Sequence, residues 1–136
     1  MKVLVDTAVW SLALRRKSRL QQSATAKELA SLIQDSRVAM IGPVRQEILS
    51  GIKERAYFER LREHLRAFPD VAITSQDYEE AAAFFNRCRE QGIQGSNTDF
   101  LICAIAVRNE FSIFTTDADF EHFAKVLPIV LHQTTA

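Results

Sequence analysis

Apolar positions along the chain fall into short runs separated by longer stretches with helical spacing. Val3 to Val5 is a β-branched run that breaks off at Asp6, the pattern of a buried strand. Ala8, Trp10, Leu12 and Leu14 follow in a short helical stretch that gives way to the basic run Arg15, Arg16, Lys17 and Arg19, read as an exposed loop. Leu29, Leu32 and Ile33 recur at helical spacing within 24–34, and Arg37 to Ile41 is a second strand candidate stopped by Gly42 and Pro43. Pro43 suits the first turn of the next helix, whose apolar stripe is Val44, Ile48, Leu49 and Ile52. Tyr57 to Phe68 reads as helix and Val71 to Ile73 as a third strand. Ser75 is expected to cap a helix that ends near Gly92. Beyond the loop Gly92-Ile93-Gln94-Gly95-Ser96 lies a strongly apolar helix over 97–109. A fourth strand over Ser112 to Thr115, a short helix over 120–126 and a final strand over Leu127 to Leu131 complete the pattern. Strands alternating with helices imply an α/β fold, with a mainly parallel sheet and helices on both faces.

Composition narrows the class. A chain of 136 residues, 47% hydrophobic and 25% charged, has the makeup of one ordinary globular domain with a sizeable core. Seventeen basic and seventeen acidic residues leave no net charge, so any nucleic-acid partner must be held by a local patch. No apolar run reaches membrane-spanning length and no secretory signal pattern opens the chain, so a soluble cytoplasmic protein without a membrane partner is expected. Cys88 and Cys103 show no C-x-x-C spacing and read as small buried hydrophobes.

Topology then bears on the acidic residues. Each has an ordinary explanation alone: Asp6 or Thr7 as a helix cap, Glu47 on a solvated face, Asp99 complementing the dipole of the helix it opens. In a parallel sheet, however, the carboxyl ends of the strands share one edge, where open α/β sheets bind ligands. Asp6 follows the first strand and Asp117 the fourth, Glu47 lies one helical turn beyond the second, and Asp99 opens the helix leading into the fourth. Two unit charges 5 Å apart repel by about 3 kcal/mol at an effective dielectric of 20, so four converging carboxylates call for a proton or a cation between them. A hard divalent ion, Mg²⁺ or Mn²⁺, is the simplest answer. The scattered His64, His122 and His132 do not suggest zinc.

Four motifs carry a family resemblance: V-L-V-D-T at 3–7, P-V-R-Q-E at 43–47, N-T-D-F-L-I-C-A-I-A at 97–106 and F-T-T-D-A-D-F at 114–120. In this order and spacing the chain resembles the PIN-domain ribonucleases, and among them the VapC-type toxins of bacterial toxin–antitoxin pairs. The resemblance spans essentially all of 1–136 as a single PIN domain. It implies a parallel five-stranded sheet flanked by helices, a divalent metal at the acidic cluster, and cleavage of single-stranded or loop RNA by attack of a metal-activated water on the phosphodiester. By position, Asp6, Glu47, Asp99 and Asp117 match the acidic quartet. Asp119 resembles an auxiliary member, and Thr7, Thr116 and Asn97 are expected around the quartet. Arg15, Arg16, Lys17, Arg19 and Arg45 are candidates for gripping RNA. The family also implies an antitoxin protein of the VapB type in a groove, for which Trp10, Leu12, Leu14, Phe58 and Leu61 are core-or-groove candidates, and a homodimer.

Other classes fit less well. A phospho-acceptor receiver domain wants an acidic pair after the first strand and a lysine after a late one, neither of which is present. A haloacid-dehalogenase-like phosphatase wants D-x-D, but position 8 is Ala. A PIN-domain nuclease of RNA maturation, not a toxin, stays open at this level.

Overall fold

The computed structural model describes residues 1–14 and 23–134. The basic run Arg15, Arg16, Lys17 and Arg19 lies outside the described residues. Three parallel strands form the sheet: β1 (Val3–Val5), β2 (Val38–Ala39) and β3 (Ser112–Phe114), in the order β2-β1-β3. Val3 pairs with Val38 on one side and Ser112 on the other, and Val5 pairs with Phe114. Val3, Leu4 and Val5 are all fully buried. Successive side chains of a strand point to opposite faces, so both faces of the central strand are covered.

Among the described residues the sheet has three strands rather than the five expected. The segments read as third and fifth strands touch it at one parallel bridge each, Asp70 to Met40 and Leu131 to Ile113. Val71 N–H donates to Met40 O at 2.8 Å, but the next rung would fall at Gly42, where the partner strand has already turned into a helix. Pro128 in the last segment has no N–H to give a ladder.

Seven helices surround the sheet among the described residues: α1 (Thr7–Ala13), α2 (Ala24–Gln34), α3 (Gly42–Leu49), α4 (Arg55–Leu65), α5 (Ser75–Glu90), α6 (Asn97–Asn109) and α7 (Asp119–Ala124). Pro43 sits in the first turn of α3, as its fixed φ favours. Thr74, not Ser75, caps α5, in a reciprocal capping box with Asp77. Asp77 also receives Arg108 through Nε at 2.6 Å and a terminal nitrogen at 2.8 Å, which ties α5 to the end of α6. Every residue of α6 from Phe100 to Ala106 is buried, so this helix runs through the core and is not a surface element. No helix among the described residues is long and apolar enough to cross a membrane.

Arg45 is committed to structure. Its guanidinium donates to the carbonyls of Leu65 and Phe68 at the end of α4 and pairs with Asp70 at 2.9 Å. It braces the turn that follows α4, where Leu65 O also accepts Phe68 N–H at 3.0 Å, so its donors are engaged within the fold rather than free to grip RNA.

Candidate active site

The parallel sheet delivers the ends of β1 and β3 side by side. Asp6 N–H donates to Phe114 O at 2.9 Å, carrying the pairing one residue past β1. Asp6 is 6% exposed, and both its oxygens are engaged. Oδ1 accepts Thr7 N–H at 2.8 Å as the cap of α1, and Oδ2 accepts the Thr115 hydroxyl at 2.8 Å. The capping role and the site role therefore belong to the same carboxylate. Burial pushes the Asp6 carboxyl up to about 6, with the charges of Asp99 and Asp117 adding to the shift and the bonds from Thr115 and Thr7 opposing it.

Asp99 is placed by the start of α6. Its N–H donates to Ser96 Oγ at 3.1 Å, and its Oδ2 accepts Ser96 N–H at 3.0 Å, a second reciprocal box. Burial again raises its pKa, and Asp117 and Glu47 contribute repulsion. Asp117 is held at the end of β3: its N–H donates to Thr115 Oγ1 at 2.9 Å, and its Oδ1 accepts Asp119 N–H at 2.9 Å. Glu47 is exposed on α3, where Thr7 Oγ1 donates to its Oε1 at 2.6 Å.

Asp99 thus lies within electrostatic reach of the other three carboxylates and Asp6 within reach of Asp117, while two threonines link Asp6, Glu47 and Asp117. Thr7 joins the Asp6 turn to Glu47. Thr115, which the sequence reading passed over, joins Asp6 to the Asp117 loop. Because Thr115 Oγ1 accepts from Asp117 N–H, its one proton is free to go to Asp6. Thr116 is exposed, and among the described residues it makes no hydrogen bond that ties it to the carboxylates. The side chain of Asp119 is exposed, its backbone N–H being its link to Asp117. Asn97 is exposed and lines a separate apolar cavity of about 440 Å³ with Pro43, Tyr78, Phe85 and Phe100.

Among the described residues none of the four carboxylates is paired with a lysine or arginine. Nor do any three or more His, Cys, Asp or Glu among these residues stand close enough together to hold a metal ion by themselves. All the donors are oxygens, and the burial of Asp6 and Asp99 beside like charges asks for positive charge. This donor set suits a hard cation held through one or two carboxylates with its waters retained, not an all-protein cage. Asp6, Asp99 and Asp117 are the residues that could reach it, one or two of them directly and the rest through its waters, with Glu47 at the rim.

A groove of about 280 Å³ opens beside Glu47, lined by Ser11, Leu14, Ile48, Tyr57 and Leu61 from α1, α3 and α4. Trp10 is core rather than groove: it is 2% exposed and packs edge-on against Phe68 at 5.3 Å. Cys103, in α6, is a buried thiol whose pKa is raised by desolvation and by the nearby charges of Asp99, Cys88 and Asp6, which makes it inert.

Comparison with known proteins identifies the family and the fold. The PIN domain profile matches residues 3–126. The chain is 30% identical over 128 residues to VapC ribonuclease Mb1587 of Mycobacterium bovis, covering 91% of this chain and 92% of that protein. Two solved assemblies share the fold. FitAcB from Neisseria gonorrhoeae has a TM-score of 0.76 at 18% identity, covering 97% of both chains. VapBC2 from Rickettsia felis, bound to a DNA fragment from their promoter, has a TM-score of 0.77 at 15% identity, covering 97% of this chain and 98% of that one. With the profile spanning nearly the whole chain and a close relative in the VapC branch, the chain belongs to the PIN-domain family, among its VapC-type members.

Proposed function

We propose that the chain is a divalent-metal-dependent endoribonuclease, Mg²⁺ or Mn²⁺ being the cofactor, and the toxin of a toxin–antitoxin pair acting in the cytoplasm. The observation that carries the reading is Asp6: a nearly buried carboxylate, at the carboxyl edge of the sheet, among other carboxylates and, among the described residues, without a lysine or arginine paired to any of them. A bound divalent cation would supply charge for the phosphate oxygens and acidify a water. Asp6, Asp99 and Asp117 would hold it. Glu47, at the rim and fixed by the Thr7 hydroxyl, orients the attacking water and takes its proton. As the new O–P bond forms in line, the P–O bond to the departing sugar breaks. Thr115 keeps Asp6 and the Asp117 loop at a fixed spacing.

The relative named a VapC ribonuclease supports RNA as the substrate, and the VapBC assembly supports a VapB-type antitoxin as a partner. The groove beside Glu47 suits an apolar antitoxin segment reaching toward the carboxylates. A homodimer is part of the proposal. Its support is the open apolar cavity beside Tyr78, a large side chain left 57% exposed.

The test is cleavage of defined RNAs with Mg²⁺ or Mn²⁺ against EDTA, using wild type, Asp6→Asn and Asp99→Asn. Cleavage that needs the metal and is lost in both variants is expected. Cleavage that persists in EDTA, or survives both substitutions, ends the nuclease reading.

A further inference from the structure

Gly95 lies in the loop that delivers Asp99. A methyl group built on it would stand 2.5 Å from Phe123 Cζ and 3.0 and 3.1 Å from Phe100 Cε2 and Cζ. Those rings cannot swing aside cheaply. Phe123 and Phe120 are fully buried and Phe100 is 1% exposed. The three rings pack in series, Phe100 tilted against Phe123 at 4.9 Å between centroids and Phe123 edge-on to Phe120 at 5.1 Å, with Phe85 edge-on to Phe100 at 5.6 Å. Interiors this dense transmit displacement instead of absorbing it.

The two ends of this stack lead to two carboxylates. Gly95 precedes Ser96, whose N–H and Oγ hold Asp99. Phe120 and Phe123 belong to α7, which begins at Asp119, whose N–H holds Asp117. We propose that Gly95 and the Phe100–Phe123–Phe120 stack form a spacer that sets the position of Asp99 relative to Asp117. Gly95 is a positioning residue: the absence of a side chain lets the loop backbone rest directly on the rings. The inference goes deeper into the nuclease reading and rests on it only for its kinetic arm.

The experiment compares wild type, Gly95→Ala, Phe123→Leu and the double variant by RNA cleavage with Mg²⁺, by thermal melting, and by amide hydrogen exchange in metal-free protein. Gly95→Ala is expected to lower kcat at least tenfold with little change in KM. Exchange at the Ser96 and Asp99 amides should rise while the amides of β1 and β3 stay protected. Phe123→Leu in the same chain should restore much of both, because it removes the closest ring atom. If Gly95→Ala fails to fold, the double variant must fold and keep the Ser96 amide protected. The spacer is overturned if Gly95→Ala leaves kcat and Ser96 exchange at wild-type values, if it changes melting alone, or if the double variant shows no recovery. Absence of cleavage by wild type would end the nuclease reading, and the exchange measurements would still decide the spacer.

Discussion

Replacing Asp6 with asparagine should stabilise the metal-free protein while abolishing its chemistry. Folding carries the Asp6 carboxyl from 3.8 to about 6, which corresponds to about 3 kcal/mol of cost for the ionised form at neutral pH. Asparagine removes that cost but accepts from only one of Thr7 N–H and the Thr115 hydroxyl, a loss of about 1 kcal/mol. The net gain is about 2 kcal/mol, or about 8 °C in Tm for a domain of this size. The sign follows from proton binding. A carboxyl with a raised folded pKa holds its proton more tightly in the folded state, so its stability penalty is complete above about pH 6. The penalty shrinks as pH falls toward 3.8 and is absent below it. Melting in EDTA should therefore place Asp6→Asn above wild type at pH 7.5 and slightly below it near pH 4, where only the hydrogen-bond loss of about 1 kcal/mol remains. At a hundred times its Kd, a divalent ion should add about 2.7 kcal/mol to wild type and little to the variant, reversing the order. If Asp6→Asn melts at or below wild type in EDTA at pH 7.5, or if its advantage persists unchanged at pH 4, the buried carboxylate is not the strained group described above.

Three other outcomes are expected. Thr115→Val should lower kcat at least about tenfold by leaving an Asp6 oxygen and the Asp117 N–H without their shared hydroxyl, and Thr115→Ser should retain most activity. Asp77→Asn should cost about 1 to 3 kcal/mol in denaturant unfolding, because it breaks the paired bonds from Arg108. Bonding to Arg108 holds the Asp77 carboxyl below its usual range, so that stability is present above the unfolded value of 3.8 and disappears as pH falls through the lower folded value. A difference between the two proteins that is the same at pH 2 and pH 7 would refute it. Arg45→Ala should lower Tm by several degrees yet leave the salt dependence of RNA binding unchanged, since Arg45 serves the end of α4; a shallower slope would return it to the phosphate-binding set.

Where hydrophobic spacing and capping chemistry agreed, the sequence was a good guide. The helices over 24–34 and 97–109 stand where Leu29 and Leu32 and the apolar run of 97–109 put them, and Asp6 ends a buried strand as its neighbours imply. Residues 71–73 and 127–131 carry the β-branched composition of strands, but composition does not say that the neighbouring strand turns into a helix at Gly42 or how little ladder Pro128 permits. Arg45 looks like any surface arginine in a one-dimensional reading, because the carbonyls it meets lie 20 and 23 residues away. Thr115 and its neighbour Thr116 are indistinguishable by type. What separates them is strand register: Val5 opposite Phe114 puts Asp6 beside Thr115, and register is a tertiary fact.

The pairing of β1 with β3 also has a consequence in time. Asp6 is synthesised 109 residues before the Thr115 hydroxyl that holds it, and β1 lies at the middle of the sheet, between a partner made early and one made late. At roughly 5 to 20 residues per second, the carboxylates stay apart on the nascent chain for about 5 to 20 s. Its latent chemistry is switched on only when nearly all of the domain has left the ribosome.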